Sequence, residues 1–304
     1  MEWGYYPGCS LNQSAAGYNR QVRLILERLG RPVKEVPDWN CCGATSAGKL
    51  DDFLAAALPA RNMGLAIAAG FSRMVIPCSG CYSRTLSAKA RLEVNPALKE
   101  AVNAEISHPV TGDIEIVSIL QVLSELVSEG LLEKGVTRKL TGLTAACYYG
   151  CVTRFSEKVP FFEDAENPQV MERVLAALGA ETVDFAGKTK CCGASAAVND
   201  KPTALSLMAP ILRDAIARGA QCLVVSCPMC QLNMDAYQNE VRREFGIEKG
   251  LPVYYVTQLM GLAMGLDPKE LDFSAHFVPG LGLVRDLGLL EPLAPVAAET
   301  PPSP

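Results

Sequence analysis

The sequence predicts an α/β protein built from two domains of the same kind, related by a pseudo-twofold axis, each a small, mostly parallel sheet with helices. Three observations lead there. One cysteine pattern occurs twice: Cys9, Cys41-Cys42-Gly43 and Cys78-x-x-Cys81, then Cys151, Cys191-Cys192-Gly193 and Cys227-x-x-Cys230. The spacings nearly repeat, with 31 then 35 intervening residues in the first copy and 39 then 34 in the second. Short apolar runs alternate with segments of helical period, as strand–helix–strand units require. The expected boundaries are 1–140 and 141–288 for the two domains, with 289–304 as a disordered tail rich in Pro and Ala.

The elements follow in order. Residues 2–6 read as a short strand that ends at Cys9. Residues 18–29 carry Val22, Ile25, Leu26 and Leu29 on one helical face, and Gly30 stops that helix. Residues 32–36 form a second strand leading to Trp39-Asn40-Cys41. Asp51 and Asp52 open an alanine-rich helix, acids at its positive end, and Gly70 closes it. Residues 74–76 are a buried strand followed directly by Cys78. Residues 117–126 supply the closing strand and helix. From Ala145 the order repeats: strand, helix 171–178, strand 182–185, the second Cys-Cys-Gly loop, helix 205–217, strand 223–226, and a closing strand and helix in 256–266. Ligands of a parallel sheet sit beyond the carboxyl ends of its strands. Every cysteine group falls at such an end.

Composition narrows the class. The chain has 304 residues, 49% hydrophobic and 20% charged, which suits a soluble globular protein with a sizeable core. A net charge of −5 and no basic stripe argue against nucleic acid. No apolar run reaches the length of a membrane span. The start, Met-Glu-Trp-Gly-Tyr-Tyr, has no basic region and argues against a secretory signal. Disulfides suit short exported chains, so a reducing, cytoplasmic compartment and metal or redox chemistry are the better reading of twelve cysteines.

Ten of those cysteines belong to the repeat. Structural zinc takes four ligands, commonly from paired Cys-x-x-Cys knuckles. Here each half offers one Cys-x-x-Cys, one Cys-Cys and one lone Cys. Neighbouring side chains in extended chain point to opposite sides, so Cys41 and Cys42 are poorly placed to chelate one small tetrahedral ion. They can reach different irons of a larger cluster. Iron–sulfur clusters are held by thiolates, and a cubane uses four. The fifth thiol implies a bridging ligand in an unusual cluster, or a ligand exchanged in turnover. Zinc at a site stays as the alternative.

With the strings YYPGCS, WNCCGA, PCSGCYSR, CYYGC, KTKCCGAS, VVSCPMCQLNMD and VTQLMGLAMGL, the chain resembles the CCG-domain family over about residues 1–265, and within it the HdrB-like group, the B subunits of heterodisulfide reductases. The resemblance implies two noncubane [4Fe-4S] clusters. One would sit on Cys9, Cys41, Cys42, Cys78 and Cys81, the other on Cys151, Cys191, Cys192, Cys227 and Cys230. It further implies homolytic cleavage of a disulfide, with one thiolate product at each cluster. A disulfide needs two electrons to open, and duplication supplies two centres. No Gly-rich dinucleotide fingerprint and no ferredoxin cysteine run occur in the chain. Electrons are therefore expected from an HdrC-like partner, a two-cubane ferredoxin, and an HdrA-like flavoprotein. A cytoplasmic location follows, peripheral at the membrane through such partners. Related CCG proteins also serve complexes that oxidise lactate or glycolate, and the non-spanning anchor of some succinate dehydrogenases, so an electron-transfer subunit without its own substrate is the alternative function.

Other residues have weaker signals. Cys222 reads as a buried thiol in a strand. Cys147 could compete with Cys151 as a ligand, but Tyr5 occupies its place in the first copy. Neither His108 nor His276 lies near a cysteine group in sequence, and both read as surface or packing residues. Lys188, Lys190 and Arg84 flank cysteine groups and are candidate contacts for substrate anions. Gly43 and Gly193 are expected to let the backbone turn at φ > 0 or pass close to the cluster. The substrate cleft is expected between the halves near Cys41–Gly43, Cys81, Cys191–Gly193 and Cys230.

Overall fold

The computed structural model describes residues 2–44, 46–155 and 164–290. In the first half β1 (Trp3–Tyr5) leads into α1 (Gly8–Asn12) and α2 (Ala16–Arg28), then β2 (Val33–Glu35), α3 (Ala47–Leu50), α4 (Asp52–Ala68), β3 (Arg73–Ile76), α5 (Ser79–Val94), α6 (Pro96–Glu105), β4 (Glu115–Ser118), α7 (Ile119–Ser128) and α8 (Leu131–Gly135). The second half runs β5 (Thr144–Tyr148), a 3₁₀ turn (Gly150–Phe155), α9 (Val170–Ala177), β6 (Glu181–Val183), α10 (Lys201–Ala217), β7 (Cys222–Val225), α11 (Pro228–Ala236), α12 (Gln238–Phe245), β8 (Val253–Tyr255), α13 (Val256–Ala263) and α14 (Leu281–Asp286).

Each half is a four-stranded sheet, of order β2-β1-β3-β4 in one and β6-β5-β7-β8 in the other. Every strand pair is parallel. The inner strands are covered on both faces, so β7 is buried throughout and β3 is buried after Arg73. That coverage is why they read as continuous apolar runs rather than as alternation. Local chemistry marks the helix ends as the sequence implies. Asp51 caps α4 by accepting from the Phe53 amide, and Asp200 caps α10 by accepting from the Thr203 amide. Gln121 and Gln258 each reach back to the amide of the residue before their own helix, Ser118 or Tyr255. Gly30 and Gly179 end α2 and α9 at φ +72° and +83°.

The halves interlock. Helix α2 of the first half packs on α13 of the second, and α9 of the second packs on α7 of the first. Since α2 and α9 are the first long helices of their halves, and α7 and α13 follow the last strands, the contacts are reciprocal, as a twofold relation demands. At the α2–α13 seam the Tyr18 and Tyr255 rings stack at 4.1 Å and 4°. Tyr18 also donates to the Ser226 carbonyl at 2.7 Å, and Thr257 donates to Gln21 Oε1 at 3.0 Å. One hydrophobic core runs through both halves. Leu289, which the sequence assigns to a disordered tail, is instead buried, and its carbonyl accepts a hydrogen bond from Arg138. The remainder of that tail, 291–304, lies outside the described residues.

Candidate metal centre

The carboxyl ends of the strands gather the thiols. After β1 the chain turns through Pro7-Gly8 and sets Cys9 in the first turn of α1. The loop after β2 carries Cys41 and Cys42. Cys78 is the N-cap of α5, and Cys81 lies in that helix's first turn. The second half repeats this with Cys151 in the 3₁₀ turn after β5, Cys191 and Cys192 after β6, and Cys227 as N-cap of α11 with Cys230 in its first turn. Of the four thiols at the starts of α5 and α11, neighbouring cysteines and burial raise Cys78, Cys81 and Cys230, and Cys227 alone is lowered.

Each set divides the same way. Cys42, Cys78 and Cys81 are buried, as are Cys192, Cys227 and Cys230, whereas Cys9, Cys41 and Cys191 are exposed and Cys151 is half-buried. Within the buried groups Cys42 and Cys81 are hydrogen-bonded at 3.2 Å, and Cys192 and Cys230 at 3.7 Å. The outer thiols face their own loops, with the Gly43 amide 3.5 Å from Cys41 Sγ and the Gly193 amide 3.4 Å from Cys191 Sγ. These contacts order the protons. The Cys81 thiol holds Cys42 down at about 7, helped by the nearby Arg84 charge. Cys230 lowers Cys192 and, together with Cys78, lowers Cys227 further. Burial pushes Cys151 up to about 12.

The two sets meet. Cys78 and Cys227, equivalent positions in the repeat, lie close enough that each thiol shifts the other's proton affinity, Cys78 upward and Cys227 downward. An approach of equivalent residues can only lie at the pseudo-axis. The helices alongside are reciprocal as well: α1, carrying Cys9, packs on α11, and the turn carrying Cys151 packs on α5.

The donor chemistry fits an iron–sulfur group, because clusters are held by thiolates and each half brings five thiols to one strand-end edge. Two glycines leave room for it. At Gly8, φ +69°, an added Cβ would stand 2.8 Å from Cys81 Sγ; at Gly150, φ +62°, it would stand 3.4 Å from Cys230 Sγ. Among the described residues no three of His, Cys, Asp and Glu stand at the spacing of ligands around a single ion.

Several expected residues land elsewhere. Lys188 is a correction: its side chain is 4% exposed and its ammonium pairs with Glu172 at 2.8 Å and bonds Asn167 Oδ1 at 2.9 Å. It is buried structure and no substrate contact, because a lysine leaves water only with its charge paired. Lys190 is exposed, and so is Arg84, which acts electrostatically on Cys42. Cys147 and Cys222 are fully buried in β5 and β7, and burial raises both thiols. His108 is exposed and touches Ser107. The His276 ring is held between the Gln258 and Gln231 amides, 3.6 Å from buried Asp235. Gly43 and Gly193 do turn at φ +70° and +74°, but an added Cβ there would strike Ala47 or Ala204 and not a thiol.

Sequence reasoning missed Gly8, Gly150, Tyr6 and Tyr148. Tyr6 and Tyr148 are buried in the neighbourhood of four thiols of their own set, and burial together with those thiols' charges holds each phenol's proton. The signal was present: Tyr-x-Gly-Cys occurs as Tyr6-Pro7-Gly8-Cys9 and Tyr148-Tyr149-Gly150-Cys151.

Fold and site together define a duplicated, cysteine-rich α/β protein whose two five-thiol sets meet at its pseudo-axis. A family model, CCG, the cysteine-rich domain, matches residues 3–84 and again 145–235. The chain belongs to that CCG family. It is similar to the 8-methylmenaquinol:fumarate reductase membrane anchor subunit of Wolinella succinogenes, at 32% identity over 284 residues, 91% of this chain and 97% of that one. It is similar to the B subunit of the ferredoxin:CoB-CoM heterodisulfide reductase of Methanosarcina mazei, at 31% identity over 281 residues, 90% and 93% of the two chains. A crystal structure of a hypothetical protein from Helicobacter pylori shares the fold at a TM-score of 0.72 and 17% identity, covering 91% of this chain and 52% of that one. The chain thus spans about half the length of that solved protein. No helix among the described residues is long and apolar enough to cross a membrane.

Proposed function

We propose that this chain is the iron–sulfur subunit of a heterodisulfide reductase-like complex, one that opens a disulfide by two electrons or closes two thiols in reverse. The overall change is RSSR + 2e⁻ + 2H⁺ → 2RSH. The observation that carries the reading is the approach of the two five-thiol sets across the seam, where α1 with Cys9 packs on α11, the turn with Cys151 packs on α5, and Cys78 lies near Cys227, because two one-electron centres on either side of one seam match a two-electron bond. Bound, two noncubane [4Fe-4S] clusters would supply the electrons. Cys9, Cys41, Cys42, Cys78 and Cys81 would hold one, and Cys151, Cys191, Cys192, Cys227 and Cys230 the other. Lys190 and Arg84 are exposed cations next to cysteine groups in the chain and would draw a substrate's anionic groups to the seam. Electrons would arrive from a two-cubane, ferredoxin-like partner and a flavoprotein, in the cytoplasm or at a membrane surface through those partners.

A second reading has one specific observation in its favour. The Wolinella relative is named for a menaquinol:fumarate reductase, so the chain could pass electrons between partners with no disulfide of its own. One experiment separates the two. Anaerobically reconstituted protein is expected to hold about eight irons per chain with matching sulfide, and a disulfide substrate is expected to change the EPR signals of both centres. Stoichiometric zinc with negligible sulfide would overturn the cluster reading. Clusters indifferent to every added disulfide and thiol would leave the relay.

A further inference from the structure

Tyr6 directly follows β1 and Tyr148 ends β5, and they are 0% and 1% exposed. A buried phenol must find a partner for its hydroxyl. Both find the same one in the repeat: Tyr6 donates to the Asn40 carbonyl at 2.8 Å, and Tyr148 to the Lys190 carbonyl at 2.6 Å. Those carbonyls belong to the residues immediately before Cys41-Cys42 and Cys191-Cys192. Each hydroxyl thus ties the Cys-Cys-Gly loop, which comes from one strand end, to the strand end that carries Cys9 or Cys151. The hydroxyls also share a neighbour with the Cys-x-x-Cys thiols, Gly8 in the first half and Gly150 in the second. The point occupied by an added Gly8 Cβ lies 3.8 Å from the Tyr6 hydroxyl and 2.8 Å from Cys81 Sγ; at Gly150 it lies 3.0 Å from the Tyr148 hydroxyl and 3.4 Å from Cys230 Sγ. One phenol per half therefore ties two of the strand ends that deliver thiols and lies near the third.

We infer that Tyr6 and Tyr148 are paired positioning residues, each fixing the Cys-Cys-Gly thiols of its own half against the strand end that carries Cys9 or Cys151 and presenting a hydroxyl dipole to the group they hold. The inference rests on the proposed reading of the ten thiols as cluster ligands. Hydrogen bonds and dipoles around cluster sulfurs set reduction potential, and groups that orient ligands tune the metal they hold. The two tyrosines are unequally important. In the first half the Asn40 carbonyl also accepts from Asn62 Nδ2 at 2.8 Å, and Trp39 packs edge-on against Tyr6 at 5.5 Å. The Lys190 carbonyl has Tyr148 as its one hydrogen-bond donor among the described residues. Removing the Tyr148 hydroxyl should therefore disturb its centre more.

The test uses the full chain, reconstituted with iron and sulfide, as Tyr6→Phe, Tyr148→Phe and the control Tyr254→Phe. Tyr254 is also fully buried, and its hydroxyl donates to the Gly280 carbonyl at 2.5 Å, with no thiol set around it. Tyr6→Phe is expected to shift the EPR signature and midpoint potential of one centre, Tyr148→Phe those of the other and by more, and Tyr254→Phe neither, though all three lose thermal stability. Should a phenylalanine variant fail to fold, 3,5-difluorotyrosine at the same position keeps ring and hydrogen bond while strengthening the donor, and the same single-centre shift is expected. If wild-type protein takes up no iron and sulfide, the proposed function falls and takes this inference with it. If wild-type protein is loaded and the tyrosine variants match it in both signatures and both potentials, this inference alone is overturned.

Discussion

Lys188 and Glu172 sit behind Tyr149-Gly150-Cys151, and the Lys188 carbonyl accepts from the amides of Tyr149 and Gly150 at 2.9 and 3.0 Å. Removing the lysine charge would leave Glu172, 11% exposed, as a buried carboxylate. Lys188→Met is therefore expected to lose about 3–5 kcal/mol of stability, whereas Lys190→Ala and Arg84→Ala stay within about 0.5 kcal/mol. Denaturant unfolding of the three variants checks this, and a stable Lys188→Met chain would contradict it. The two remaining cysteines give a second residue-scale expectation. Cys147→Ala and Cys222→Ala should keep full iron content and cost about 1 kcal/mol each through lost packing. Iron lost from the Cys147 variant would mean that the lone ligand of the second half is Cys147. Sequence spacing identified the ten thiols because their types and intervals repeat. It misjudged Lys188 because burial is a property of what packs over a residue, and Glu172 is 16 positions away in the chain.

At the scale of elements, the turn into α1 and its counterpart at Cys151 decide whether a thiol set can close. Gly8→Ala and Gly150→Ala meet two obstacles, a left-handed backbone costing about 1–2 kcal/mol and a Cβ driven toward a ligand sulfur. Each should empty the centre of its own half. Gly30→Ala shares the left-handed strain at φ +72° with nothing within 4 Å of the added carbon, so it should cost stability and keep all the iron. Iron analysis beside thermal unfolding distinguishes the two classes. The strands and the helices before each Cys-Cys-Gly loop were legible, because apolar period and capping residues mark them. Helix α5 was not. On its buried face Tyr82, Leu86 and Leu92 are interleaved with Ser79, Cys81, Ser83, Thr85 and Ala88, so the apolar stripe is broken in the sequence. Helix α11 is hidden likewise, with Asn233 and Asp235 buried. In both, small or polar residues face inward beside the thiols.

At the scale of the whole molecule, the shared seam governs behaviour. Tyr18 and Gln21 on α2 are 1% exposed, and their partners Tyr255, Ser226, Leu271 and Thr257 lie in the second half. Residues 1–140 alone would bare that face, so neither they nor 141–290 should give a soluble, cooperatively folding protein. Circular dichroism melts of the separate halves check this, and a half that folds and loads its own centre would contradict it. The seam also separates two kinds of ligand change. Cys42→Ser and Cys192→Ser should each remove one centre and leave the other's EPR signal as it was. Cys78→Ser and Cys227→Ser lie near the partner set across the axis and should perturb both signals. By itself the sequence determined the α/β class, the duplication, the two five-thiol sets and the edge on which each set lies, because repeat spacing and parallel-strand geometry are local and periodic. Only the tertiary structure decided that the sets approach each other near Cys78 and Cys227, that α2 and α9 cross to the opposite halves, that Tyr6 and Tyr148 tie the loops, and that Lys188 is buried. Those facts depend on which surfaces of two similar halves are pressed together, and no spacing along one chain encodes that docking.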